Sequence, residues 1–324
     1  FLPPLTFVVR IELKEVTKEY RKVPVLQDVN LVIEEGDMYG IIGKSGSGKT
    51  TLLNLITGFL EPSEGSITYR TSTGEELDIG EHHNRIKKHL GFTPQHNSFY
   101  HKLTVKENLL HFGKLYGLKH DTLIANAKSL LEITQLFDHR HKLAEHLAQG
   151  MQRRLDIACS LIHKPKVLVL DEPTADLDPV LQQEILHLLQ DVNRQGVTIV
   201  IASHHLDSVE DVCNKVAVIH NNRVHSHGLI DDVKKPFLRD HFTINLRSGN
   251  NKEFLIAALR KLPIEKIVDK GSQLVVYPQN QPQHIEKIVS SLLRFIKEEN
   301  MYLHDMHFRK PSLHEVFEKI TVQK

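Results

Sequence analysis

At 324 residues the chain exceeds the roughly 250 to 300 residues at which a single hydrophobic core stops growing, so two domains are expected. Its 41 basic and 40 acidic side chains nearly cancel, leaving no overall field to draw nucleic acid or an anionic membrane surface, and no nucleic-acid partner is expected. No apolar run approaches the roughly 20 residues that span a bilayer, and the opening FLPPLTFVV is too short for a signal and lacks a cleavage pattern, so the chain reads as cytosolic and as meeting a membrane only through another protein.

The chain begins at Phe1 without an initiator Met, and the first strand pattern starts only around Val9, which leaves a longer parent chain open. That strand, IELKEVTKEY, ends on the aromatic Tyr20. From Gly40 the sequence reads GIIGKSGSGKTTLLNLITG: an apolar strand end, then Gly43, Lys44, Ser45, Gly46, Ser47, Gly48, Lys49, Thr50 and Thr51, then a helix. This is G-x-x-x-x-G-K-[ST] in the strand-loop-helix setting that gives the motif its meaning. Such glycines let backbone N–H groups wrap phosphate oxygens, the helix N-terminus adds partial positive charge, and the lysine reaches the outer phosphates. Gly43 to Thr51 is therefore the candidate ATP cradle, with the Thr50 hydroxyl offered to Mg²⁺.

Next comes KVLVLDEPTADLDP, whose apolar run Val167 to Leu170 reads as a buried parallel strand ending in Asp171 and Glu172. Asp171 is placed to hold Mg²⁺ indirectly, and Glu172 to polarise the water that attacks the γ-phosphate. Pro179 opens a helix with Leu181, Ile185, Leu188, Leu189 and Val192 on one face, and Val197 to Ala202 is a further buried strand, followed by His204 and His205. Cys159 and Cys213 have no partner motif and are expected to be reduced, buried thiols. His139 with His141, and His225 with His227, lack a second ligand pair and are expected to be solvated or locally satisfied rather than metal ligands.

The core pattern ends near Val233. Beyond it, Phe242, Ile244 and Leu246 give a strand, and Leu255, Ala258, Leu259 and Leu262 a helix. Leu274 to Tyr277 is a second strand, Ile285, Ile288, Val289, Leu292, Leu293 and Ile296 a second helix, and Leu303 to Phe308 a third short strand. Ser312 and Glu315 are spaced as a capping box for a last helix around Val316 and Phe317. The expected division is 1–235 for the main domain and 236–324 for a small α/β domain of ferredoxin-like kind.

With the two phosphate-site motifs in order, residues 9 to 235 resemble the ABC ATPase family. The resemblance implies a P-loop α/β core with a mixed, mostly parallel sheet and a helical subdomain over about 95 to 162. It also implies two such subunits clamping two ATP molecules beside a transmembrane permease. In that family Tyr20 would stack on adenine, Gln95 in GFTPQH would touch Mg²⁺ and the attacking water, and His204 would contact the γ-phosphate. Asp176 and Asp178 match the loop that crosses to the second subunit.

The family's signature, usually LSGGQ, stands here as Leu147, Ala148, Gln149, Gly150 and Met151. In the family this segment contacts the nucleotide held by the opposite subunit through the serine hydroxyl and the glycine amides. Ala148 has no hydroxyl to offer, and Gln149 either crowds the phosphate or substitutes its own amide. The defect falls on the partner's nucleotide, so a heterodimer is expected over a homodimer with two weakened sites. The ending KPSLHEVFEKIT resembles the P-S-L-x-x-V-F of drug-, lipid- and polysaccharide-exporter ATPases, and LTVKENL at 103–109 and Met151 agree with that branch. An importer ATPase, or an ABC ATPase acting on ribosomes or DNA, are the alternatives.

Overall fold

The computed structural model describes residues 10–235, 241–246, 252–269, 271, 273–279, 282–298, 303–309 and 312–322, so Val9 and the opening segment lie outside the described residues. The chain divides into two compact units, Phe1–Val233 and Lys234–Lys324.

In the first unit, β1 (Arg10–Tyr20), β2 (Val23–Ile33), β4 (Glu64–Arg70) and β5 (Glu76–Asp78) form an antiparallel sheet of order β2-β1-β4-β5. A second sheet has the order β10-β9-β3-β8-β7-β6 and comprises β3 (Met38–Gly43), β6 (Leu90–Thr93), β7 (Val167–Asp171), β8 (Thr198–Ser203), β9 (Lys215–His220) and β10 (Arg223–Leu229). All its neighbours are parallel except the antiparallel edge pair β9/β10. Every residue of β3, β7 and β8 is buried, which is why these strands read as unbroken apolar runs rather than alternating ones. Helix α1 (Lys49–Ile56) lies against both sheets, and Leu52, Leu53 and Ile56 join Leu31, Val169 and Val200 in one continuous core. Helix α2 (Ile79–Lys87) adds Ile79 and Ile86 to that core.

The subdomain is helical as expected: α3 (Val105–Leu115), α4 (His120–Ile133) and α5 (Gln149–Leu161). Helix α3 is started by a reciprocal capping box, with Glu107 N–H donating to Thr104 Oγ1 at 3.2 Å and Thr104 N–H to Glu107 Oε2 at 2.8 Å. Helix α6 (Pro179–Arg194) buries Ile185, Leu188, Leu189 and Val192, followed by α7 (Leu206–Val212) and α8 (Ile230–Lys234). Cys159 and Cys213 are free, buried thiols, and burial raises the pKa of both. Among the described residues no helix is long and apolar enough to cross a membrane.

The second unit runs β11 (His241–Leu246), α9 (Lys252–Leu259), β12 (Ile264–Asp269), β13 (Gln273–Pro278), α10 (Pro282–Glu298), β14 (Leu303–Arg309) and α11 (Leu313–Val322). Its antiparallel sheet has the order β12-β13-β11-β14, the topology of a β-α-β-β-α-β ferredoxin-like fold. Three details differ from the sequence pattern. The strand β12 is additional; its residues IEKIVD are half-buried or exposed throughout, so no clean alternation betrays it. Helix α9 stops at Leu259, and Leu262 lies in the turn before Pro263, which cannot continue a helix. Leu293 is 55% exposed, while its neighbours Ile288 and Leu292 fill the core with Leu255, Leu259, Leu274 and Val276. Phe242, Ile244 and Leu246 are on β11, Leu303 to Phe308 on β14, and Ala258, Ile285 and Ile296 on α9 and α10; these side chains lie outside the described residues. For α11, Glu315 N–H donates to Ser312 Oγ at 3.3 Å.

Candidate functional site

The phosphate loop connects β3 to α1. Gly48, with φ 100° and ψ 8°, is the left-handed N-cap of α1, a conformation that side-chain-bearing residues rarely adopt. Gly43 is needed for space: a Cβ there would stand 2.3 Å from Ser47 Oγ and 3.0 Å from the Ile219 carbonyl. Lys49 Nζ donates back to the carbonyls of Gly43 at 2.9 Å and Lys44 at 3.2 Å, which fixes the ammonium at the loop.

Thr50 follows on α1 and donates from Oγ1 to Asp171 Oδ2 at 2.7 Å, tying the loop to the end of β7. The other carboxylate oxygen, Asp171 Oδ1, is buried and has no hydrogen-bond partner among the described residues. Burial raises the Asp171 pKa, and the Thr50 bond opposes that shift. A buried carboxylate with one orphaned oxygen beside a hydroxyl is a hard-oxygen donor set suited to Mg²⁺.

Glu172 is held from several sides. Its backbone is left-handed, φ 48°, and its N–H donates to the Ala202 carbonyl of β8 at 2.9 Å. Oε2 accepts from Ser203 Oγ at 3.2 Å and from the His204 N–H at 3.3 Å. Oε1 lies 2.9 Å from His204 Nδ1 and 3.7 Å from Lys49 Nζ. The carboxylate is only 8% exposed, whereas His204 is half-exposed. The ends of adjacent parallel strands β3, β8 and β7 thus bring an ammonium, an imidazole and a carboxylate to one point, as strand carboxyl ends do in open α/β sheets.

These groups line a cleft of about 380 Å³ together with Ser45, Gly46, Gly48, Thr50, Thr51 and Gln95. Val25 of β2 also lines it, a residue the sequence reading missed, as it missed Ser203. Tyr20 is not in that lining; it ends β1 half-exposed, with Lys18 Nζ 5.5 Å from its ring centroid. The signature segment is likewise outside the cleft. Ala148 is the N-cap of α5, without a side-chain cap, and Gln149 is exposed beside it. Gly150 is buried for a reason internal to the chain: a Cβ there would meet Leu181 of α6 at 2.8 Å. Asp178 caps α6 by accepting from the Val180 and Leu181 N–H groups at 3.0 Å each, and Asp176 has φ 60° in the turn before it. Among the described residues no three His, Cys, Asp or Glu side chains converge as a metal site, at the histidine pairs or elsewhere.

Residues 26–175 match the sequence profile of the ABC transporter family. The chain is 35% identical over 248 residues to the methionine import ATP-binding protein MetN of Clostridioides difficile, covering 76% of this chain and 75% of that one. It is 30% identical to the daunorubicin resistance ATP-binding protein DrrA3 of Streptomyces coeruleorubidus, covering 94% and 93%. Identity to the linearmycin resistance ATP-binding protein LnrL of Bacillus subtilis is 28%, over 96% and 98%. Among solved structures, the post-hydrolysis dimer of the ATP-binding cassette MJ0796 bound to ADP and Pi matches with a TM-score of 0.59 and 28% identity, over 68% of this chain and 98% of that one. The phosphate loop, the acid pair closing β7 and the cassette fold therefore agree with these relatives, and the chain belongs to the ABC transporter family as an ATP-binding, ATP-hydrolysing subunit.

Proposed function

We propose that this subunit drives an exporter, that Glu172 is its general base, and that it works as one unequal half of an ATPase pair beside a transmembrane permease. The observation that carries the catalytic part is the convergence on Glu172: His204 Nδ1 at 2.9 Å and Lys49 Nζ at 3.7 Å from one carboxylate oxygen. In this reading the amides of Gly43 to Thr51 cradle the ATP phosphates and Lys49 meets the outer ones. Tyr20 offers its open ring to the adenine. Glu172 takes the proton of the attacking water, and His204, through Nδ1, keeps the carboxylate turned toward that water. Thr50, Asp171 and Gln95 would hold Mg²⁺, which when bound offsets the charge on the phosphates.

Export is favoured because the two drug-resistance relatives align over nearly the whole chain, the C-terminal unit included. Import is the second reading, favoured by the higher identity to MetN over a shorter stretch. Residues 1–235 would be the motor domain and 236–324 an accessory domain, on the cytoplasmic face of the membrane through the permease. The unequal pair rests on Ala148 and Gln149, which this chain would lend to the partner's nucleotide. Robust, cooperative ATP hydrolysis by the purified chain alone would count against it.

Glu172→Gln tests the base: nucleotide binding should stay within about threefold while turnover falls roughly 100-fold or more, since the proton acceptor is lost and the cradle is intact. Wild-type turnover in that variant rejects the assignment. Direction is tested in inside-out vesicles carrying the subunit with its permease. ATP-driven accumulation of a drug inside supports export, and ATP-driven release of preloaded solute supports import.

A further inference from the structure

Arg153 lies on α5, five residues past Ala148, and its side chain is only 7% exposed. The guanidinium donates to three consecutive carbonyls around Glu172: from Nη2 to Asp171 at 3.0 Å and Glu172 at 3.1 Å, and from Nε to Pro173 at 2.9 Å. Its remaining face, Nη1, donates to the Pro94 carbonyl at 2.9 Å and to Asp156 Oδ2 at 3.3 Å. One planar group therefore holds the backbone on both sides of Glu172 and the residue before Gln95.

The loop that carries Gln95 is fastened to the same helix at two further points. Asp156 Oδ1 accepts from Ser98 N–H at 3.0 Å and from Ser98 Oγ at 2.5 Å, and Asn97 Nδ2 donates to Gln152 Oε1 at 3.1 Å. Asp156 is fully buried and turns the guanidinium by a charged contact. Glu172 itself sits at φ 48°, a strained backbone for a non-glycine residue, and such outliers persist only where the surroundings over-determine them. Three carbonyls converging on one rigid fork are that over-determination, and a lysine, a single point donor on a flexible stem, cannot reproduce it.

We propose that Arg153, seated by Asp156, is a positioning residue for ATP hydrolysis that fixes Glu172 and the Gln95 loop to each other and to α5. The inference rests on the reading of Glu172 as the base. It also gives α5 a double role, because the helix whose N-terminus presents Ala148 and Gln149 outward carries, one turn further on, the clamp of this chain's own hydrolytic groups. Whatever the outward end touches is then felt at Glu172.

The test is steady-state ATPase of the full chain assembled with its partner subunits, for Arg153→Lys, Asp156→Asn and Glu172→Gln, with thermal melts of each. A misplacement of about 1 Å at a reacting group costs roughly 100-fold. Arg153→Lys should lower kcat by about that factor with KM for ATP within about threefold, and Asp156→Asn should show the same split with a loss of about tenfold. A purely structural staple predicts instead that kcat falls only in proportion to the folded fraction read from the melts, with full turnover per folded molecule, and that result overturns the inference. Should Arg153→Lys fail to fold, Asp156→Asn and Ser98→Ala are judged by the same split. Full turnover in Glu172→Gln overturns the underlying reading. Lost turnover there with wild-type turnover in Arg153→Lys overturns the positioning role alone.

Discussion

Ala148→Ser separates what the altered signature does to this chain from what it does to a partner. Ala148 has the extended backbone of an N-cap, φ −63° and ψ 154°, and its carbonyl already accepts from the Gln152 N–H at 2.9 Å. Only the side-chain oxygen is lacking, so a serine there would find the N–H groups of Gly150 and Met151 within reach of Oγ. Such a cap contributes about 1 kcal/mol, range roughly 0.5 to 2, which in a unit of this size is a rise of about 2 to 4 °C in Tm. The gain belongs to the isolated chain and should appear in a nucleotide-free melt. If the hydroxyl also supplies a missing bond to the partner's ATP, a further 1.5 to 3 kcal/mol or so is at stake, roughly 10- to 150-fold in hydrolysis by the assembled pair. An unmoved Tm refutes the capping argument. A raised Tm with unchanged ATPase refutes the idea that the hydroxyl limits turnover. Gln149→Gly then resolves its neighbour: turnover rises if the side chain crowds the phosphate and falls if its amide donates to it.

Asp171→Ala should raise the Mg²⁺ needed for half-maximal ATPase by roughly 10- to 100-fold, while binding of metal-free ATP, followed by fluorescence titration in EDTA, stays unchanged. Gly48→Ala should weaken ATP binding about tenfold or more, because its left-handed φ of 100° is unfavourable and the added Cβ would stand 3.1 Å from the Val25 carbonyl; calorimetry with ATP reads this, and wild-type affinity would contradict it. Burial lowers the His163 pKa to about 4, with Nε2 3.0 Å from the Leu90 carbonyl and the ring stacked 3.6 Å from Tyr116. The unfolded chain then binds the extra proton between about pH 6.5 and 4, so stability falls by up to about 3 kcal/mol as pH drops through that window; denaturant melts of His163→Gln should lack this acid-side loss, and a parallel pair of pH profiles would contradict it.

The parts of the site that were legible in the sequence are those whose chemistry forces a local pattern. Fully buried parallel strands must be apolar throughout, so β3, β7 and β8 announced themselves, and the glycines and acids at their carboxyl ends followed. Partners supplied to the backbone leave no such trace. Arg153 reaches four carbonyls on segments about 20 and 60 residues away, and nothing in QRRLDIA distinguishes it from the partly buried Arg154 beside it, which pairs with Glu184. Val25 enters the cleft because β2 runs past the phosphate loop, a tertiary fact. The strand β12 escaped because an edge strand with charged, half-buried residues carries little periodicity.

The pattern of what the signature keeps and what it has lost is itself informative. Gly150 is retained where a side chain would press into Leu181, so the chain's own packing between α5 and α6 demands it. Ala148 and Gln149 stand exposed at the open end of α5, where their own fold asks only for an N-cap and a first-turn residue. Lys49, Thr50, Asp171 and Glu172, by contrast, are tied to one another by contacts of 2.7 Å, between Thr50 and Asp171, and 3.7 Å, between Lys49 and Glu172, so each is constrained by its neighbours as well as by ATP. The departures at Ala148 and Gln149 thus fall where, in the proposed pair, only a second subunit's nucleotide would hold a residue in place. A homodimer would suffer them at both of its sites, whereas in a heterodimer this chain's own site would receive the partner's signature. The proposed unequal pair would therefore leave unimpaired the one site whose catalytic groups this chain would supply.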